Sequence, residues 1–313
     1  MRFRAAVLAA AIVLIGFGCG DPAGNSGEAK IDSTAADAEV RRVEEIRTAM
    51  KAIEPFFRPM VKPGRFDWLA TYKEPGETFD QYMDADPSIP TAEKQTIFVV
   101  PLGKFNDEQK RVIAIASEFL SVFYDLPVKT LPARSIPENL SERDVRRPRK
   151  KQLRQIRTGY ILDNVLPEIM PDDAAALIAF TDEDLFPDSS MNYVFGQASL
   201  DSRVGVWSLA RLDDNADRQT FTERTIKIAA HETGHMFSMR HCTKYECLMS
   251  GTNHLGETDR RPLDACPECM AKICWFSRVA LKERYEKLAD LCRRFGLNGE
   301  AATFAKKAAA VSR

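Results

Sequence analysis

The chain has 313 residues, with 44 lysines and arginines against 45 aspartates and glutamates, and 44% of its residues are hydrophobic. This length can bury a sizeable core, as one large domain or two smaller ones, and the composition is that of an ordinary globular protein. It argues against wholesale disorder, a polytopic membrane protein and a nucleic-acid binder that depends on overall positive charge.

The first residues have the pattern of an export signal. Two arginines precede an apolar run from Ala5 to Gly18 that is too short for an ordinary membrane-spanning helix. Cys19 and a stretch rich in glycine, serine and proline follow, an arrangement that resembles a bacterial lipoprotein signal with an acylated cysteine. We therefore predict a signal peptide at 1–18, a tether at 19–36 and a lipid anchor at Cys19. The protein would then be exported and attached to a membrane, facing the periplasm or the exterior. A plain cleaved signal and an uncleaved anchor are the alternatives.

Hydrophobic periodicity predicts the regular elements that follow. Six prolines between Pro55 and Pro90 predict extended and irregular chain there. A basic segment that ends near Leu166 is predicted to be helical. The remaining helices are predicted at 37–53, 106–124 and 220–238, and the strands at 96–100, 126–131, 174–180, 193–198 and 204–212. This alternation implies a mixed sheet with helices packed on it.

The basic segment from Arg143 to Arg157 contains eight arginines or lysines and one aspartate. It would suit a polyanion or lipid head groups, or it could be a solvated helix face. Because the chain as a whole is not basic, we prefer the solvated face.

The densest chemical signal is a cluster of histidines. His231, Glu232 and His235 form an HExxH motif at the end of a predicted helix, and His241 follows ten residues after the first histidine. Residues four apart lie on one helix face, so both imidazoles can reach one ion while Glu232 reaches the water beside it. A third imidazole leaves zinc an open fourth position, which is typical of a catalytic site. We predict Glu232 as the general base of peptide hydrolysis.

Four cysteines form a second cluster with the pattern C-x4-C-x18-C-x2-C: Cys242, Cys247, Cys266 and Cys269. Paired thiolates joined by a loop suit a structural zinc ion, whereas two disulfides are the alternative in an exported protein. We prefer zinc, because a two-residue spacer makes a strained disulfide. Cys274 and Cys292 remain, either as buried thiols or as a bridge.

Together these residues resemble the archaemetzincins, zinc peptidases of the metzincin type. The family signature, HExxHxxGxxHC followed by a cysteine, a methionine and a CxxC knuckle, corresponds to His231–Cys242, Cys247, Met249 and Cys266–Cys269. The resemblance implies that Met249 forms the turn beneath the catalytic zinc. It covers roughly residues 96–276 and leaves the segment 37–95 and the last helices unexplained.

The resemblance implies an α/β, zincin-like fold with a mixed twisted sheet and packed helices. We predict an N-terminal helix and Pro-rich extension at 37–95, a subdomain with the active-site helix at 96–238, and a smaller, mostly helical subdomain with the four-cysteine knuckle at 239–313. The predicted function is a zinc-dependent peptidase with two zinc ions, acting on peptides or proteins as a monomer without nucleic acid. The alternative is a catalytically weak, zinc-structured peptide-binding lipoprotein, against which the presence of Glu232 argues.

Ser238 departs from the family pattern, which has glycine there. The helix must end between His235 and His241, and helices commonly end on a residue with positive φ. Ser238 would then accept left-handed strain of about 1–2 kcal/mol, which a glycine would relieve, or the turn is built differently. Two neighbours are weaker candidates. His254 either lines the cleft or lies on a surface loop, and Tyr245 either stabilises the oxyanion or packs against the knuckle.

Overall fold

The computed structural model describes residues 29–148, 153–199 and 202–311. The chain divides between Arg42 and Val43 into two units. The predicted signal peptide at 1–18 and Cys19 lie outside the described residues. None of the helices within the described ranges combines the length and the apolar character needed to cross a membrane.

The second unit is built on a five-stranded mixed sheet with the order β2-β1-β5-β8-β7. Strands β1, β2, β5 and β8 run parallel, and β7 pairs antiparallel with β8 at the edge. A smaller sheet has the order β3-β4-β6. The strands are β1 Thr96–Leu102, β2 Val128–Thr130, β3 Val145–Arg146, β4 Gln155–Arg157, β5 Ala174–Thr181, β6 Asp184–Phe186, β7 Gly196–Ala198 and β8 Val204–Ser208.

The described helices are α1 Ala29–Ile53, α2 Trp68–Thr71, α3 Phe79–Asp84, α4 Asp107–Tyr124, α5 Thr158–Tyr160, α6 Arg218–Met236, α7 Leu255–Arg260, α8 Pro267–Ser277, α9 Leu281–Arg294 and α10 Asn298–Val311. A 3-10 turn at Glu54–Phe56 follows α1, a π-helical turn at Ile161–Val165 follows α5, and a 3-10 turn at Pro167–Ile169 follows that. The predicted mixed sheet with packed helices is thus confirmed.

The central strands are buried on both faces, which explains their continuous apolar sequences. Alternate side chains enter two different cores because successive residues of a strand point to opposite faces. Ile97 and Val99 of β1 pack with helices α4 and α6 in the larger core. Phe98 and Val100 pack on the other face with the chain around Ile161.

Helix α6 carries the HExxH motif, and both of its ends are capped. Asp217 accepts a hydrogen bond from Thr220 N at 2.7 Å at the start. At the end Ser238 has φ +60°. Its N–H donates to His235 O at 2.9 Å, and Met239 N donates to Gly234 O at 3.0 Å. These two bonds form a Schellman motif, so the left-handed conformation predicted for Ser238 is confirmed.

Two local predictions are wrong. Between residues 145 and 157 the basic segment is not a helix, since β3 pairs antiparallel with β4 and β4 pairs with β6. Only the end of the predicted helix, toward Leu166, is helical, in Thr158–Tyr160 and Ile161–Val165. Within the basic segment Arg154 pairs with Glu183 and Arg157 with Asp144, so these arginines bind neighbouring carboxylates and do not form a solvated helix face. Residues 149–152 lie outside the described ranges. Tertiary pairing here outweighs local propensity.

The Pro-rich segment, residues 55–90, contains helices α2 and α3 where only irregular chain was predicted. Helix α3 begins with a capping box in which Thr78 and Gln81 exchange side-chain and backbone hydrogen bonds. A proline does not prevent a helix that starts after it, so the proline count alone gave too strong an expectation.

Candidate active site and metal centres

The three histidines of the motif meet at one point. Helix α6 presents His231 and His235 one turn apart, and the Schellman turn brings the chain back so that His241 joins them. One ring nitrogen from each lies within 4.8 Å of the others, and the Nε2 atoms of His231 and His235 are 3.0 Å apart. This is the spacing that a single metal ion requires of its ligands.

Each imidazole is oriented by an oxygen acceptor at its other nitrogen. His231 Nδ1 lies 2.9 Å from Leu248 O, and His235 Nδ1 lies 2.6 Å from Met239 O. His241 Nδ1 lies 3.0 and 2.9 Å from the two carboxylate oxygens of Glu74. We assign the proton of each ring to Nδ1 from these acceptors. The Nε2 lone pairs are then free to bind a metal, so the donor set fits zinc.

Burial keeps His231 and His235 in the neutral state that metal binding requires. Desolvation, together with the neighbouring histidines, lowers the pKa of His235 to about 4 and that of His231 well below its ordinary value. Both rings are therefore neutral near pH 7. Although Glu232 is only half-buried, desolvation raises the pKa of its carboxyl to about 8, and the positive charge of a bound ion would lower it again.

A cleft opens beside the histidines. One wall is the edge strand β7, Gly196–Ala198, and Trp68 of the Pro-rich segment stands on another side, with its ring 5.1 Å from that of His241. A Cβ on Gly196 would lie 3.1 Å from Glu232 Cγ, so the absence of a side chain there lets the glutamate lie against the strand. The cleft thus combines the three imidazoles, a carboxylate and a β-strand edge.

Met249 lies beneath the histidines. A Cβ on Gly234, which stands between the two helical histidines, would come 2.5 Å from Met249 Sδ. Cys242 N also donates to Met249 O at 2.8 Å, which ties the chain after His241 to this turn. The methionine therefore packs against helix α6 at Gly234, and its place in a turn beneath a zinc ion stays a prediction.

The four cysteines form a second, buried cluster with all four Sγ atoms within 4.8 Å of one another. Cys242 Sγ and Cys266 Sγ are 3.5 Å apart, and none of the four forms a disulfide. Hydrogen bonds from Cys247, Cys266 and Cys269 hold the pKa of the Cys242 thiol far below its usual range. A tetrahedral thiolate site for zinc fits this arrangement. Cys274 and Cys292 are buried and form no disulfide either.

Tyr245 and His254 are not among the described residues that line the cleft. Tyr245 is buried and its hydroxyl donates to Glu54 at 2.7 Å, so it packs by the knuckle. His254 begins α7, where Nδ1 accepts from Glu257 N at 3.1 Å, and its Nε2 lies 3.3 Å from Asp67. With Asp67 and Glu257 it forms a third cluster, but Arg260 and Arg261 already neutralise those carboxylates.

Sequence reasoning missed two residues of the site, Trp68 and Glu74. Both lie in the Pro-rich segment, far from the motif in sequence. Neither belongs to a spacing pattern, so the sequence carries no signal that connects them with His241. Only the path of the folded chain places them there.

Comparison with known proteins gives consistent matches. Residues 140–274, a range that includes both clusters, match the model of peptidase family M54. The chain is 31% identical over 286 residues to archaemetzincin-2 of Rattus norvegicus, which covers 78% of this chain and 78% of that protein. It is 30% identical over 186 residues to the archaemetzincin of Pyrococcus abyssi, covering 56% of this chain and 93% of the other. The crystal structure of the Methanopyrus kandleri archaemetzincin aligns with a TM-score of 0.48 and 28% identity, over 59% of this chain and 96% of that chain.

Proposed function

Because the chain belongs to the archaemetzincin family of zinc-dependent peptidases, we propose that His231, His235 and His241 bind a catalytic zinc ion and that Glu232 is the general base of peptide hydrolysis. The membership confirms the resemblance seen in the sequence. The observation that carries the proposal is the convergence of three imidazoles, each with Nδ1 bound to an acceptor, beside a desolvated carboxylate.

A zinc ion held by three neutral imidazoles supplies Lewis-acid chemistry, in which a carbonyl is polarised and water becomes acidic near neutral pH. Glu232 takes the proton from the attacking water and delivers it to the departing amine nitrogen. Its position one residue after His231 places its carboxylate beside the ligands and not among them.

The substrate is proposed to bind in extended form along β7. This strand is at the edge of the five-stranded sheet and lines the cleft, so a peptide backbone can pair with it. Such pairing orients the scissile carbonyl toward the histidines without depending on any particular side chain. Peptides or unfolded protein segments are therefore the substrate class that the cleft fits.

A second zinc ion is proposed at Cys242, Cys247, Cys266 and Cys269. The cluster lies directly after His241, so a metal there would fix the chain that carries the third catalytic ligand. Two ions per chain, one catalytic and one structural, are thus expected.

The alternative, a weak peptide-binding protein, makes no use of a base at position 232. Replacement of the glutamate distinguishes the two functions. Glu232→Gln should lower turnover of a mixed peptide library by about 10²- to 10⁴-fold, while zinc content stays at two ions per chain. Glu223→Gln is the matched control and should keep full turnover, because Glu223 lies on the same helix, accepts a hydrogen bond from Gln219 at 2.8 Å and does not line the cleft. Equal turnover by wild type and Glu232→Gln would refute the proposed base.

A further inference from the structure

Glu74 makes the only carboxylate contact to the proposed catalytic ligands among the described residues. His231 and His235 are oriented by the backbone carbonyls of Leu248 and Met239, which belong to the motif region itself. His241 is instead oriented by both oxygens of Glu74, at 2.9 and 3.0 Å from Nδ1. The glutamate comes from the Pro-rich segment, to which the sequence assigned no chemistry.

The chain before Glu74 is held firmly in place. Asp67 accepts hydrogen bonds from Gly64 N at 2.8 Å and from Arg260 at 2.9 Å. Trp68 N donates to the buried carboxylate of Glu257 at 3.0 Å. These contacts fix the segment to helix α7, on the side of the cleft where Trp68 stands against His241.

The chain after Glu74 is held equally well. Glu77 accepts a hydrogen bond at 2.8 Å from Lys272, whose side chain is fully buried. Phe79 N donates to Glu268 at 2.8 Å. Glu74 is thus fixed between two anchors, which reduces the freedom of its side chain before any metal binds.

Gly76 allows the Pro-rich segment to pass close to the backbone that follows His241. It has φ +71°, and a Cβ there would lie 2.2 Å from Thr243 Oγ1, two residues after His241. Any other residue would be strained and would push the segment away. The close approach that brings Glu74 to His241 therefore depends on this glycine.

We propose that Glu74 is a positioning residue for the catalytic zinc, which rests on the zinc site proposed above. Its carboxylate accepts the Nδ1–H of His241, fixes the tautomer and the angle of the ring, and makes Nε2 a stronger donor to the metal. The acceptor that orients the third ligand thus comes from outside the recognised motif. The Pro-rich segment is in consequence a part of the metal centre as well as a wall of the cleft.

A purely structural role for Glu74, in which it only attaches the segment, makes a different prediction. Glu77 attaches the same segment through Lys272 and through Arg240, next to His241, but does not contact His241 itself, so Glu77→Gln is the matched control. Glu74→Ala removes the acceptor from His241, whereas Glu74→Gln keeps one oxygen and removes the charge. A positioning role predicts that zinc affinity falls when the contact to His241 is removed, in the Glu74 variants, and stays unchanged when only the attachment of the segment is weakened, in Glu77→Gln.

The experiment measures metal affinity of the full chain at each site separately. Cobalt(II) is titrated into apo-protein, where binding by four thiolates and binding by three imidazoles have different absorption spectra, and zinc affinity then follows from competition. Outer-shell partners of this kind typically contribute 10- to 100-fold to metal affinity. We expect Glu74→Ala to lose about 10- to 100-fold at the histidine site, Glu74→Gln to lose less, and all variants to keep wild-type affinity at the cysteine site.

Three results would overturn the proposal. Wild-type affinity in Glu74→Ala would show that the contact does not position the ligand. An equal loss in Glu77→Gln would show that only attachment of the segment matters. Absence of metal at the histidine site of the wild-type chain would overturn the proposed function as well. This result is distinguishable from the first two, because it is seen in the wild-type chain and they are seen only in the variants.

Discussion

Ser238, where the active-site helix ends, allows a quantitative test of how the turn is built. Its φ of +60° is left-handed, which costs a residue with a Cβ about 1–2 kcal/mol. From the sequence alone, replacement by glycine should relieve that strain and raise stability. The structure adds a second term, because Ser238 Oγ accepts a hydrogen bond from Ser88 N at 3.0 Å.

The balance of these terms predicts an order of stability. Ser238→Ala keeps the strain and loses the hydrogen bond, so we expect it to be less stable than wild type by about 1 kcal/mol. Ser238→Gly also loses the bond and loses about 0.5–1 kcal/mol more in chain entropy, but it is released from the strain. These contributions nearly cancel, so the glycine variant should lie within about 0.5 kcal/mol of wild type.

Denaturant unfolding at saturating zinc measures this order, because a shift of the midpoint at constant slope reports a change in stability. A glycine variant less stable than the alanine variant by about 0.5–1 kcal/mol, the cost in chain entropy alone, would mean that position 238 carries no strain. A glycine variant more stable than wild type by over about 1 kcal/mol would mean that the bond to Ser88 contributes nothing.

Three other predictions concern separate parts of the chain. Cys266→Ser should lose one of two zinc ions. It should also lose much of the C-terminal stability, because metal binding is also folding free energy, on the order of 10 kcal/mol in small zinc domains. Cys274→Ser, on helix α8 that directly follows Cys266, should keep both ions by metal analysis. Asp264→Ala should lower the free energy of unfolding by about 3–5 kcal/mol, since it leaves buried Lys307, 2.8 Å away, without its anion. Lys307→Met should cost clearly less than that, because Arg284 still faces the Asp264 carboxylate at 3.7 Å, and equal costs would mean that Arg284 does not compensate this charge. Cys19→Ala should move the protein from the membrane fraction to the soluble exported fraction if acyl chains anchor it; an unchanged distribution would indicate another attachment.

Much of the fold could be predicted because local patterns matched the tertiary structure. Thr96–Val100 and Ala174–Phe180 are continuous apolar runs, which only a doubly covered strand explains, and both lie in the central sheet. The segment around Arg154 could not be predicted in this way. Its strands pair with each other and with β6, and Arg154 meets Glu183 from another part of the chain; no local period records that pairing.

The sequence by itself determined which side chains could act as metal ligands in the histidine cluster and in the cysteine cluster. The spacing of ligands along one helix, and within each cysteine pair, depends on local geometry alone. His231, His235 and the cysteine pairs therefore come together as their spacing requires. Only the tertiary structure decided what surrounds them. Glu74 and Ser88 reach the end of helix α6 across more than a hundred residues of chain, by close contacts that are set by packing and leave no periodic trace in the sequence.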